Sequence, residues 1–162
     1  MPSVIPMDIL ERTIAERLTA LGVTIATAES CSGGLIAHRI TNVAGSSAYF
    51  LGGVVTYGND AKEKLLGVPC ETLAAHGAVS AAVARAMAEG ARRAFGSDYA
   101  VGVTGIAGPA GGTPEKPVGL VYIAVAGPRG TAVTRNQFDG PREAVKEKTA
   151  DAALTLLMEH LG

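Results

Sequence analysis

The sequence predicts a single-domain, layered α/β/α sandwich built on a mixed sheet, on three observations. Apolar runs of strand length alternate along the chain with stretches of helical periodicity. Two of those runs are joined by Gly127-Pro128-Arg129-Gly130, a tight hairpin signal, whereas the others are joined through helices. The length, 162 residues, is that of one domain with a core of its own.

Residues 1–7 are read as an N-terminal extension and 8–162 as the domain. Ile9, Leu10, Ile14, Leu18 and Leu21 recur at helical spacing after a candidate Asp8 cap, and Gly22 ends that helix. Val23 to Ala28 is the first strand, and a second helix is expected from about Gly33 to Val43, closed by Ala44-Gly45-Ser46-Ser47. The run Tyr49 to Tyr57 reads as a strand in which Gly52 and Gly53 mark a bulge or a close backbone approach. Asn59 would cap a short helix through Leu66, stopped by Gly67-Val68-Pro69. Ser80 would cap an alanine-rich helix to about Phe95, alanine having the highest helix propensity. Tyr99 to Thr104 is a strand, Gly105 to Pro117 a loop dense in Gly and Pro, and Val118 to Ala126 and Thr131 to Phe138 the arms of the hairpin. Pro141 suits the first turn of a closing helix.

Composition removes several classes of function. A net charge of −1 with interspersed signs offers no basic stripe for nucleic acid, and 4% aromatic residues without Trp offer no stacking platform. No apolar run approaches the roughly 20 residues that span a bilayer, and the N-terminus lacks a signal-peptide pattern, so a soluble, cytoplasmic protein is expected. Cys31 and Cys70 read as free thiols. They and His38, His76 and His160 show no metal-ligand spacing, so neither metal nor cofactor is expected. Glycine-rich surfaces and the alanine-rich helix are compatible with a homo-oligomer, the expected state.

Three loops can carry chemistry. In Thr27-Ala28-Glu29-Ser30-Cys31-Ser32-Gly33-Gly34 a strand breaks into hydroxyl, thiol and glycine at a helix start, offering a nucleophile together with backbone N–H groups for an anion. The same residues also serve as a plain capped helix start. In the second loop, Thr56 to Lys62, Lys62 falls at the third helical position if Asn59 is the cap. The positive helix end there disfavours its ammonium form, although Asp60 and Glu63 could oppose this. A neutral lysine could serve as base for a serine, and Tyr57 could relay a proton; a solvated lysine and an ordinary strand-end tyrosine are the bland alternatives. Thr104 to Pro114 is a strand-end glycine loop of the kind that binds ligands in open α/β sheets, and Arg142 could pair a phosphate or carboxylate.

These segments, with His76-Gly77-Ala78-Val79-Ser80, Thr104 to Pro109, Lys116-Pro117-Val118-Gly119 and Gly140 to Arg142, together resemble the C-terminal domain of the competence-damage-inducible protein CinA, a family also found alone as nicotinamide-nucleotide amidohydrolase. The resemblance runs from about Asp8 onward. It implies hydrolysis of the carboxamide of nicotinamide mononucleotide to nicotinic acid mononucleotide and ammonia by a serine–lysine dyad, with Ser30 as nucleophile and Lys62 as base. A small nucleotide is then the implied partner. Backbone groups of Cys31, Ser32, Gly33 and Gly34 are expected to hold the oxyanion. Ser46, Ser47, Asn59, Thr104, Gly105, Gly108 and Arg142 are candidates for the rest of the substrate. Two rivals stand beside this reading: Cys31 as nucleophile, and a non-catalytic nucleotide-binding or interaction module linked to competence. The family's fused form carries a further N-terminal domain, and the stand-alone form is the one expected here.

Overall fold

The computed structural model describes residues 7–162, with side chains from Ile9 onward. Five strands form one mixed sheet: β1 (Ile25–Glu29), β2 (Phe50–Val55), β3 (Tyr99–Gly105), β4 (Leu120–Gly127) and β5 (Gly130–Gln137). Their order is β2-β1-β3-β4-β5, with β1 parallel to both neighbours and β4 antiparallel to both β3 and β5. The hairpin turn is as short as its sequence implied, Gly127 pairing directly with Gly130.

Helices α1 (Met7–Leu21), α2 (Leu35–Thr41) and α6 (Arg142–His160) cover one face of the sheet. Helices α3 (Asn59–Leu66), α4 (Cys70–His76) and α5 (Ala81–Phe95) cover the other. The larger core joins Ile14 and Leu18 of α1, Ile36 and Ile40 of α2, and Val145, Leu154 and Leu157 of α6 to Ile25, Val101 and Ile123 of the sheet. Not all of the apolar stripe of α1 is used: Ile9 and Leu21 are 49% and 41% exposed. Arg39, buried on α2, ties this layer together by pairing with Glu11 of α1 at 2.6 Å and Asp151 of α6 at 2.7 Å.

Alanine in α5 has a packing reason beyond propensity. The helix lies almost against the sheet, and a Cβ on Gly102 of β3 would stand 2.6 Å from the Ala88 nitrogen and 2.7 Å from the Ala84 oxygen. Small residues on both elements are therefore required for the approach. Ser80 caps α5 as expected, accepting from the Val83 N–H at 3.2 Å.

Several boundaries differ from the sequence reading. The bulge in β2 is present, with the register shifting between Ile25 and Ala26 opposite Phe50 and Gly52. Helix α2 begins only at Leu35, because Gly33 and Gly34 adopt φ +61° and +100° and hold Cys31 to Gly34 in a turn. Gly58, not Asn59, occupies the cap position of α3, so Asn59 opens the helix and Lys62 is its fourth residue. Pro141 likewise precedes α6 rather than lying in its first turn. Helix α4 went unforeseen, its seven residues being too few to show a periodicity. The Asp8 side chain offered as the α1 cap lies outside the described residues. No described helix is long and apolar enough to cross a membrane.

Candidate active site

Strands β1 and β2 run parallel, so both deliver their carboxyl ends to the same edge of the sheet, where crevices form in α/β folds. Ser30 leaves β1 there, its N–H held by the Val103 carbonyl at 3.1 Å, and Thr56 leaves β2 with its N–H on the Glu29 carbonyl at 2.8 Å. Helix α3 then turns back and brings Lys62 under the serine. The Lys62 Nζ lies 3.2 Å from Ser30 Oγ, across 32 positions of sequence.

The other contacts of Nζ define its chemistry. It donates to the Thr56 carbonyl at 2.7 Å and the Tyr57 carbonyl at 3.2 Å. Among the described residues no carboxylate pairs with it. Lys62 is only 1% exposed, and burial pushes its pKa below the ordinary lysine value of 10.5. A neutral amine has two N–H bonds and one lone pair. Both carbonyls can only accept, so they take the two N–H bonds and leave the lone pair facing the serine hydroxyl. Asp60 is exposed and does not hold the ammonium form, contrary to one expectation.

Cys31, 5% exposed, lines the same cavity, but burial pushes its thiol up to about 12. A helix start lowers a thiol pKa, but α2 begins four residues later and desolvation prevails. At neutral pH the thiolate is then roughly one part in 10⁵, which weighs against Cys31 as nucleophile.

The N-terminus of α2 is not open to a ligand. Glu29, 1% exposed, turns its carboxylate onto that helix and accepts from the Ile36 N–H at 2.9 Å and the Ala37 N–H at 3.1 Å. The expectation that the helix start itself cradles an anion is therefore corrected: a residue of the protein already fills that place. The N–H groups of Gly33 and Leu35 are spent on the carbonyls of Ser30 and Ser32. Those of Cys31, Ser32 and Gly34 donate to no carbonyl among the described residues, and of these three residues Cys31 lines the cavity.

A cavity of about 250 Å³ opens over the dyad. Ser30, Lys62, Tyr57, Val79, Thr104 to Gly108 and Arg142 are among its walls. Thr104 spends its hydroxyl on the Ala78 carbonyl at 2.9 Å, which fixes the His76 to Ser80 segment against the site. Arg142 donates to the Gly108 carbonyl at 2.8 Å and to the Tyr57 hydroxyl at 2.6 Å. The hydroxyl of Tyr57, a residue 59% exposed, thus faces Arg142 and not the dyad, so the geometry offers it no relay position. Ser46 and Ser47 lie in the single turn Ser46–Ala48 that precedes β2, at the opposite end of the sheet from Ser30, and do not meet the cavity. Asn59, exposed on α3, and Ser32, buried beneath the turn, also lie outside its walls. The main-chain acceptors of Lys62 and the walls at Ala78 and Val79 were not singled out from sequence. Backbone oxygens carry no residue signature. Among the described residues no cluster of His, Cys, Asp or Glu could hold a metal ion.

The CinA C-terminal domain family model matches residues 7–161. The chain belongs to the CinA C-terminal domain family. A CinA-like protein of Geobacter sulfurreducens is 57% identical over 152 residues, and one of Anaeromyxobacter dehalogenans 56% over 150; these cover 94% and 93% of this chain but 37% of each relative. The chain thus spans little more than a third of the curated relatives it matches. Among solved structures, a competence/damage inducible protein CihA from Agrobacterium tumefaciens superposes with a TM-score of 0.92 at 45% identity, covering 97% of this chain and 98% of that one. A CinA superfamily protein of Escherichia coli superposes with a TM-score of 0.93 at 30% identity, covering 98% and 92%. The α/β/α architecture of this CinA C-terminal domain is the one those structures share.

Proposed function

We propose that this CinA C-terminal domain is an amidohydrolase that converts nicotinamide mononucleotide to nicotinic acid mononucleotide and ammonia, with Ser30 as nucleophile and Lys62 as general base. The observation that carries the reading is the buried Lys62 Nζ, 3.2 Å from Ser30 Oγ and pinned by two carbonyls, with no carboxylate paired to it among the described residues. A lysine held only for structure would gain nothing from facing a serine at a cavity floor. The substrate itself comes from the family resemblance.

The geometry supports the following course. Neutral Lys62 takes the Ser30 proton as Oγ bonds to the amide carbon, and the oxyanion is received at the turn after Ser30, where the Cys31 N–H is the donor on the cavity wall. As the C–N bond breaks, the Lys62 ammonium returns the proton to the departing nitrogen and ammonia leaves. Water then attacks the acyl-enzyme, giving its proton to Lys62. The Oγ–C bond breaks, Oγ recovers that proton, and the carboxylic acid leaves, its remaining proton passing in solution to the released ammonia to give carboxylate and ammonium. Lys62 carries every proton transfer, so the scheme calls for no cofactor. Ammonia release by the purified chain supplied with nicotinamide mononucleotide tests it. Binding without turnover would favour the interaction-module reading.

A further inference from the structure

Three successive carbonyls in the segment between α4 and α5 are each taken by a side chain. His76 accepts from Lys116 Nζ at 2.6 Å, Gly77 from Ser80 Oγ at 2.9 Å, and Ala78 from Thr104 Oγ1 at 2.9 Å. Ala78 and Val79 form one wall of the cavity over the dyad, and Thr104 to Gly108 form another. Thr104 stands just before the β3–β4 loop opens and Lys116 near its close, so two of the three bonds tie one wall to the loop that builds the other. His76 is the last residue of α4, where no intrahelical N–H reaches its carbonyl, and a lysine ammonium suits that orphan acceptor. Gly77 follows at φ +75°, and a Cβ there would stand 3.0 Å from Lys116 Nζ, so glycine leaves the ammonium its seat. Lys116 is itself held by a turn: its N–H donates to Thr113 Oγ1 at 3.0 Å, and its carbonyl accepts from the Thr113 N–H at 2.9 Å. It makes no ion pair among the described residues and is not one of the cavity's walls. No step of the dyad chemistry uses it.

We propose that Lys116 is a positioning residue: it clasps the Ala78–Val79 wall to the β3–β4 loop and so sets the width of the cavity in which the amide meets Ser30. The inference rests on the amidohydrolase reading and adds to it a residue that touches neither substrate nor dyad. A wall released from the clasp holds its binding position for a smaller fraction of the time, and apparent affinity falls by that fraction. The wall meets the substrate before and during reaction alike, so KM rises while kcat holds. His76 is exposed, so water replaces the ammonium at its carbonyl at little cost to folding.

The test compares the kinetics of ammonia release from nicotinamide mononucleotide by the wild type, Lys116→Met and Lys116→Arg. In Lys116→Met KM rises about fivefold, kcat stays within about twofold, Tm falls by less than about 3 °C, and Lys116→Arg restores most of the KM. A KM within about twofold of the wild type, a loss confined to kcat, no recovery in Lys116→Arg, or a larger fall in Tm overturns the proposal. If the wild type releases no ammonia, the amidohydrolase reading fails by itself, and amide hydrogen exchange decides the clasp. Faster exchange across residues 70–80 in Lys116→Met than in the wild type upholds it, whereas equal exchange overturns it.

Discussion

Replacing Glu29 by Gln isolates one interaction that the whole site is built around. The carboxylate accepts two N–H bonds at the start of α2, at 2.9 and 3.1 Å, from a position 1% exposed. Glutamine keeps the shape but offers one oxygen, so one helix N–H faces an NH₂ group and loses its partner, costing about 1 kcal/mol at the half-buried Ala37. The surviving bond drops from charge-assisted to neutral, about 1 kcal/mol more, and the helix dipole loses its counter-charge, about another 1 kcal/mol. Together these predict a loss near 3 kcal/mol. For a domain of this size that is a Tm lower by roughly 6–12 °C. Thermal and urea unfolding of wild type and Glu29→Gln, monitored by circular dichroism, measure it. A loss below about 1 kcal/mol would refute the account of Glu29 as the charge that occupies the α2 N-terminus.

Four further outcomes follow from the same structure. Because burial lowers the Lys62 pKa, kcat/KM rises with pH through an ionisation below 10.5, the base working only when deprotonated; a profile with no ionisation below that value contradicts this. The unfolded chain keeps that proton to higher pH, so stability also rises with pH across the window between the lowered value and 10.5. Cys31→Ala retains most of the activity, within about threefold, since the thiol stays protonated at neutral pH, and it costs about 1 kcal/mol of stability for the cavity left behind. Gly90→Ala destabilises by about 2 kcal/mol or more in urea unfolding, because the new Cβ would overlap the Leu66 carbonyl oxygen where α5 crosses α3.

The elements with strong local signals were legible in the sequence: the alanine-rich α5 with its Ser80 cap, the Gly127–Gly130 hairpin, and the short helix that carries Lys62. The residues alone proposed Lys62 as base for a serine, from its place at a helix start and the lack of another obvious base; the family resemblance then named Ser30 and Lys62 as the pair, against the bland alternative of a solvated lysine. What escaped the sequence has physical reasons. Glu29 stood in the opening motif with no assigned role, since whether a strand-end carboxylate points at a ligand or at its own helix depends on the φ angles of Gly33 and Gly34. Ser46 and Ser47 looked suitable for a phosphate, but strand direction places them at the far end of the sheet. Tyr57 contributes its carbonyl to Lys62 and its hydroxyl to Arg142, a division that side-chain chemistry does not foretell.

The dyad is tested most directly by following ammonia release from nicotinamide mononucleotide with wild type, Ser30→Ala and Lys62→Ala, each confirmed as folded by its circular dichroism and melting curve. The account predicts stoichiometric ammonia and nicotinic acid mononucleotide from the wild type and a loss of at least about 10³-fold in each variant. A folded variant of either kind that turns over within about tenfold of the wild type would contradict it.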